Sequence, residues 1–349
     1  MQIRIATYAD RDKWDDYVIN HPEGTAYHLF AWQEAVEQAY GFKGIYLLAE
    51  TESKLCGVLP LIDFRIPLVG RAIISLPYCD VGGVLADCHN TEQALTNFAC
   101  SIAEGNHADI KLRSTRPLPS FGQNRTNKVS MMLDLPDNSD VLMNNFKSKF
   151  RLKIKKPKRD GLTVTLGNME LLDDFYSVFA RNMRHLGSPV HSRLWFSAVV
   201  SAYGEKARVA VVYMPDRTPA AAGIILLHPS RVSNPWASSL RQYNNMRPNM
   251  LLYWAFLAFT TDNRYRQFDF GRSTPGEGTY SFKEQWGARP QLLYWYDLPT
   301  EATRKKASKG KFSQNNSSPK RQLVASLWQK LPQSGTDWLG PKVRKYISL

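Results

Sequence analysis

Short apolar runs and polar turns recur in the same order in the two halves of the chain. Gly44 to Glu50 predicts a strand, Glu52-Ser53-Lys54 a turn, and Leu55 to Ile62 a second strand carrying Gly57. In the second half, Arg208 to Met214 predicts a strand, Pro215-Asp216-Arg217 a turn, and Ala220 to Leu227 a strand carrying Gly223. A helix is expected from Thr91 to His107 with Thr91 as N-cap. Its counterpart runs from Pro248 to Thr261, with proline in the first turn, where a missing N–H is tolerated. Each helix leads to a strand, Asp109–Leu112 and Gln267–Phe270, which ends at Arg113-Ser114-Thr115 and Gly271-Arg272-Ser273-Thr274. Each half closes on Asp-Leu-Pro, first at Asp134 and again at Asp297. These landmarks keep a nearly constant offset, which points to duplication.

The chain is 349 residues long, 43% hydrophobic and 12% aromatic, enough for two packed cores. Its net charge of +14 is unevenly spread. Lys147 to Arg159 holds eight basic residues and no acidic one, and Glu301 to Leu349 holds eleven basic and two acidic. The rest of the chain is close to neutral. Such segments attract phosphate-bearing partners, whether nucleic acid, nucleotide or anionic membrane, and otherwise serve as a solvated linker and tail. Leu142 to Arg159 is expected as a linking helix that stops near Pro157. Lys147, Lys149, Arg151, Lys153 and Lys155 alternate, which would spread charge around it. Thr303 to Pro319 reads as a flexible linker, and Leu323 to Leu331 as a short amphipathic helix that docks on the body or lies on a membrane.

The start of the chain has no apolar leader segment, and no run approaches the roughly 20 apolar residues of a membrane span. A cytoplasmic protein with reduced cysteines is expected. The seven histidines lack metal-ligand spacing, so no metal is expected.

Chemistry concentrates between Asp269 and Arg289. A strand ends in a loop bearing Gly271, Gly276 and Gly278, and a short helix is expected from Tyr280. Glycines allow close backbone approach, and a helix start offers N–H groups to an oxyanion or a phosphate. Lys283 is the candidate for contact with developing negative charge, alongside the amides near Gly278 and Thr279. Asp269 and Glu277 are candidates for proton removal. The competing reading is a tight glycine turn with a solvated lysine.

Phe282-Lys283-Glu284-Gln285-Trp286-Gly287, after a strand ending in Gly271-Arg272, resembles the Phe-Lys-x-x-(Phe/Trp)-Gly segment of the Fem (FemAB) family. The basic segment Phe146 to Lys158 and the stretch Arg181 to Pro189 resemble further segments of that family. Ser238 to Asn244, followed by Pro248 to Trp254, resembles the Fem-like subgroup associated with PEP-CTERM and exosortase loci. The likeness spans about residues 1–299. It implies an α/β (mixed α+β) fold of two tandem GNAT-like domains, the acyl-CoA N-acyltransferase fold, with a basic C-terminal tail. The expected division is 1–141 for the first domain and 142–160 for a basic linking helix. Residues 161–300 would form the second domain, with the acyl-transfer cleft, and 301–349 a tail.

The resemblance further implies an acyltransferase with no tightly bound cofactor, using acyl-CoA or aminoacyl-tRNA as co-substrate. The acceptor would be an amine on a cell-envelope or exopolysaccharide precursor, with peripheral contact to an anionic membrane. Expected substrate contacts are Arg241, Tyr243, Arg272, Ser273, Gly278, Thr279, Tyr280, Phe282, Trp286, His185, His191, Lys149 and Arg151. Neither a coiled-coil arm nor a good GNAT pyrophosphate loop is present, which leaves the donor open. The alternative is a non-catalytic GNAT-like protein that binds anionic glycolipid or nucleic acid. Asp80, in an Asp-x-Gly-Gly loop, is a further candidate for the cleft wall, and Cys79 reads as a packed thiol.

Overall fold

The computed structural model describes residues 1–52, 54–67, 70–122, 125–298 and 319–348. The linker expected over 303–319 lies outside the described residues except for Pro319, which opens a helix. Helices and strands alternate through both halves, and the architecture is mixed α/β as expected. Eleven strands form one sheet. From one edge their order is Thr163–Gly167, Ala207–Tyr213, Pro219–Leu226, Val232–Ser239, Gln267–Ser273, Arg125–Asp134, Arg289–Leu298, Asp109–Ser114, Gly70–Ile74, Ile62–Ile66 and Lys43–Gly44. A four-stranded sheet contains Gln2–Ile5, Leu47–Thr51, Lys54–Leu59 and Leu85–Ala86.

The second-half hairpin forms as expected, Ala207–Tyr213 on Pro219–Leu226. The first-half hairpin is divided between the two sheets. Leu47–Thr51 pairs with Lys54–Leu59, whereas Lys43–Gly44 pairs with Ile62–Asp63. Pro60, at the break, has no N–H to give the ladder, and the Ile45 N–H to Leu61 carbonyl bond (2.7 Å) carries across it.

The two halves exchange strands. Arg125–Asp134, from the first half, inserts antiparallel between Gln267–Ser273 and Arg289–Leu298. Arg289–Leu298 pairs in turn with Asp109–Ser114. Arg113 therefore lies opposite Trp295, and Arg272 opposite Ser130, each on the other half's closing strand. The parallel pairs, Gly70–Ile74 with Asp109–Ser114 and Val232–Ser239 with Gln267–Ser273, flank this exchange.

The largest core also joins the halves. Trp32 stacks on Trp236 at 6.2 Å between ring centroids and meets Trp195 edge-on at 5.3 Å. Such aromatic pairs add to the burial of their large apolar areas.

Three local expectations are corrected. The first crossover helix spans His89–Gly105 and starts after Cys88, so Thr91 lies inside it, with its hydroxyl 3.4 Å from the Cys88 sulfur. The linking segment is two helices, Ser139–Asn145 and Ser148–Arg159, interrupted at extended Phe146 and Lys147. Pro157 lies within the second, whose buried stripe of Phe150, Ile154 and Pro157 faces the core and leaves its lysines outward. Charge does not surround that helix, because spacing of about 3.6 residues per turn gathers the apolar positions on one side.

The tail folds back on the body as two helices, Pro319–Lys330 and Gln333–Arg344. Gly187 packs against Ala325, Arg184 Nε donates to the Leu331 carbonyl at 2.7 Å, and the Tyr78 N–H donates to the Ser348 carbonyl at 2.7 Å.

Candidate active site

The parallel strands Val232–Ser239 and Gln267–Ser273 are in register only at Val232–Phe268 and Ser233–Asp269. Beyond Asp269 they part, and the wedge between them is the centre of the candidate site. Gly271 makes the departure feasible. It has φ +75°, and a Cβ there would stand 3.2 Å from the Asn234 carbonyl oxygen. A side chain at that position would be both left-handed and crowded.

Asp269 is buried at the fork. Its Oδ1 accepts from the Ser130 hydroxyl, brought across by strand exchange, and from the Gly271 N–H at 2.8 Å. Burial pushes the Asp269 carboxyl above its ordinary range, against the effect of those bonds and of Arg231. Lys283 is also buried, and its Nζ donates to the Gly271 and Arg272 carbonyls at 2.9 Å each. Burial lowers its ammonium to about 8, while Asp269 and Asp80 oppose the shift.

Arg272 leads from this fork to the first half. Its Nη1 lies 3.3 Å from Asp80 Oδ1, and its guanidinium sits 5.4 Å from the centre of the Trp295 ring. Arg113 is 5.8 Å from the centre of that ring. The Arg113 guanidinium is buried and donates to the Leu76 carbonyl at 2.7 Å and the Cys79 carbonyl at 2.8 Å. Burial brings Arg113 down to about 10. Tyr27 is buried within the field of Asp269 and Asp80, and burial first, then those charges, push its phenol well up. Among the described residues, the buried hydroxyls of Ser233, Ser239 and Ser273 and the Arg231 Nε have no hydrogen-bond partner. The serines lie on the two diverging strands.

Asp269, Arg272, Ser273 and Lys283 are thus brought together. Other expected residues are not. The short helix spans Gly278–Glu284, so Lys283 stands in its last turn rather than its first. Glu277, Gly278 and Thr279 are exposed, and the Glu277 carbonyl accepts from the Tyr280 N–H at 3.0 Å. Tyr280 and Phe282 pack on the second-half core, Phe282 at 5.2 Å from the Tyr253 ring. Trp286 is fully buried against Phe150, with ring centroids 5.0 Å apart, so it anchors the linking helix and is no substrate contact.

Arg241 and Tyr243 lie in the turn Arg241–Met246, at the open end of the wedge. Arg241 is near His185, whose imidazole is lowered first by burial and then by Arg184 and Arg241. The His185 carbonyl accepts from Gln329 in the tail. His191 is buried with Nδ1 2.6 Å from the Tyr40 hydroxyl, and burial holds it neutral. Lys149 is exposed on the linking helix, and Arg151 reaches the Asn144 carbonyl at 3.4 Å. Burial pushes the Cys79 thiol up, which fits a packed group rather than a nucleophile.

Ser130, Tyr27 and Arg231 escaped the sequence reading. Ser130 left one trace, a hydroxyl amid Val129, Met131, Met132 and Leu133. Among the described residues, no group of His, Cys, Asp and Glu is placed to hold a metal ion, and no helix is long and apolar enough to cross a membrane.

The sequence profile of the acetyltransferase (GNAT) domain matches residues 144–284. No curated protein matches the chain. FemX is similar in structure, with TM-score 0.69 and 15% identity, over 89% of this chain and 100% of FemX. The L-PGS structure from Bacillus licheniformis aligns over 94% of this chain and 100% of its own, at 13% identity and TM-score 0.55. A tandem GNAT protein from the clavulanic acid biosynthesis pathway aligns over 86% of this chain and 100% of its own, at 10% identity and TM-score 0.52. The protein therefore has a mixed α/β fold like that of a tandem GNAT protein, and the fork at Asp269 lies within the stretch that matches the GNAT domain.

Proposed function

We propose that this protein is a Fem-like N-acyltransferase. It moves an acyl or aminoacyl group from acyl-CoA or aminoacyl-tRNA to an amine on a cell-envelope or exopolysaccharide precursor. The PEP-CTERM-associated subgroup and a cytoplasmic site of action belong to the same reading. The observation that carries it is the parting of two parallel strands at Asp269, with a buried lysine of the following helix bonded to the adjoining bulge.

With acyl-CoA as donor, the pantetheine arm lies between the diverging strands, where the unpartnered Ser239 and Ser273 hydroxyls meet its amides. The donor's acyl carbonyl points toward Lys283. The acceptor amine attacks that carbonyl, so that a C–N bond forms as the donor's C–S or C–O bond breaks. Asp269 takes the proton leaving the nitrogen and returns it to the departing thiolate or alkoxide. A carboxyl raised by burial suits that exchange. The Lys283 ammonium stabilises the oxyanion, whose charge appears only as the carbonyl is attacked, so the contact favours the transition state over the ground state. Arg272, and at the open end Arg241 and Tyr243, position the phosphate-bearing parts of the substrates.

The test is direct. The full chain is incubated with acyl-CoA or aminoacyl-tRNA and a panel of amine-bearing envelope precursors, and the acceptors are weighed by mass spectrometry. An acyl increment that disappears with Asp269→Asn supports the reading. No increment from either donor class rejects it.

A further inference from the structure

Several apolar side chains of the tail helices face away from the body rather than onto it. In Pro319–Lys330, Ala325 packs on Gly187 and Gln329 bonds to the His185 carbonyl, so that side meets the body. Val324 and Leu327 point away, 61% and 56% exposed, and Leu331 follows one turn later, also exposed. In Gln333–Arg344, Trp338 is 66% exposed, and the Lys342 ammonium sits 3.4 Å from the centre of its ring. Leu186, next to the Gly187 contact, is 50% exposed. Isolated exposed apolar residues are ordinary, but five around one docked hairpin mark an interaction surface.

Charge selects the occupant. Residues 319–349 contain six Lys and Arg and one Asp, and among the described side chains Lys330 and Lys342 are exposed while Arg344 is turned onto the body. Basic residues interleaved with outward Leu, Val and Trp suit a surface that is apolar just beneath an anionic layer. A nucleic acid would call for the basic residues and leave the aliphatic ones without a role.

We infer that the two tail helices form a docking surface for an anionic lipid bilayer, with Trp338, Leu327 and Leu331 entering the headgroup boundary. The same segment continues to Tyr78. Arg344 is half-buried beside the Tyr78 ring, and the Ser348 carbonyl accepts from the Tyr78 N–H. The end of the tail therefore rests on Tyr78, two residues before the Asp80 that meets Arg272. This deepens the proposed function by making the acceptor a membrane-borne precursor, and it rests on that reading for the acceptor alone.

Full-length protein is sedimented with vesicles of phosphatidylcholine alone or mixed with phosphatidylglycerol, beside a Leu327→Glu/Trp338→Glu double variant. The parent should pellet with the anionic vesicles and not with the neutral ones, and the double variant should lose about tenfold or more in bound fraction. Its unfolding temperature should match the parent's, because both side chains are exposed. Parent protein left in the supernatant with anionic vesicles at low salt overturns the inference. So does equal vesicle binding by the double variant, or a tRNA affinity that falls with the double variant while vesicle binding does not. The vesicle result does not depend on transfer, so a failed transfer assay leaves it readable.

Discussion

Lys283 Nζ stands 2.9 Å from the Gly271 carbonyl oxygen, so an ammonium in the following helix holds the bulge that opens the wedge beside Asp269. The same nitrogen bonds the Arg272 carbonyl, and the lysine is at once a support of the site and a positive charge within it. A solvated lysine could be removed without cost to folding, but this one is buried and bonded. Removing the side chain leaves two carbonyls without their donor, at about 1–3 kcal/mol for each group that stays buried and unsatisfied. Lys283→Ala should therefore unfold at distinctly lower denaturant and lose about 10²–10³ in turnover. Lys283→Arg should not restore turnover, because a planar fork replaces a compact charge. A denaturation midpoint and a turnover both equal to the parent's would return Lys283 to the role of a packing residue.

The pH dependence follows from the same burial. Folding lowers the Lys283 ammonium from 10.5 to about 8. Between those values the unfolded chain holds a proton that the folded protein has released, so this group's contribution to stability rises with pH there. Catalysis moves the opposite way, since the charged form is lost as pH passes about 8. Turnover should decline above that pH while urea resistance improves, relative to a Lys283→Met variant, which has neither trend. Parallel stability profiles for parent and variant between pH 8 and 10 would reject the assignment.

Asp269 gives the reverse sign. Its carboxyl is raised by burial, so the folded protein holds a proton more tightly than the unfolded chain, and stability from this group falls as pH rises through the shifted range. Asparagine keeps an oxygen for the Ser130 and Gly271 bonds without the buried charge. Asp269→Asn should thus raise the unfolding temperature at neutral pH by a few degrees, of the order that about 1 kcal/mol gives, and abolish transfer. Calorimetry and the acceptor mass assay check the two halves of this prediction. A variant that is less stable yet fully active would contradict both.

The order of elements was legible because each strand and helix writes its own period and its own turn residues. Pro248 opened its helix as expected, and the wedge strand reached Gly271 as expected. The placing of Asp269 and Lys283 beside the glycine loop was also legible, since a glycine loop beside a lysine is a local pattern. What was lost is what depends on distant pairing. Ser130 reaches Asp269 across 139 residues, and nothing near Ser130 states which strand will lie beside it. Trp286 was misplaced for a related reason. Its neighbours in sequence are the site's, but its neighbours in space are Phe146 and Phe150 from the linking helices. The Pro60 break likewise followed from a missing donor whose effect depended on the sheet around it.

Strand exchange makes the halves interdependent, and this yields the most general prediction. Residues 1–141 alone contain Arg125–Asp134 without either strand it pairs with, because both Gln267–Ser273 and Arg289–Leu298 come from the second half. The same fragment leaves Asp109–Ser114 as an open edge, since its outer partner is Arg289–Leu298. An unpaired edge of apolar strand invites association with other chains. Residues 142–349 alone have the converse defect, with a gap between Gln267–Ser273 and Arg289–Leu298 where Arg125–Asp134 belongs. The core aggravates it, because Trp236 loses Trp32 and exposes its face. Each fragment expressed separately should be aggregated or should lack a cooperative unfolding transition, whereas co-expression should give a soluble 1:1 complex. That complex should unfold in one transition, since the exchanged strands and the shared tryptophan core couple its parts. Size-exclusion chromatography and calorimetry decide the matter. A fragment 1–141 that runs as a monomer and melts cooperatively by itself would mean that its closing strand folds back on Asp109–Ser114, and that the halves are independent domains.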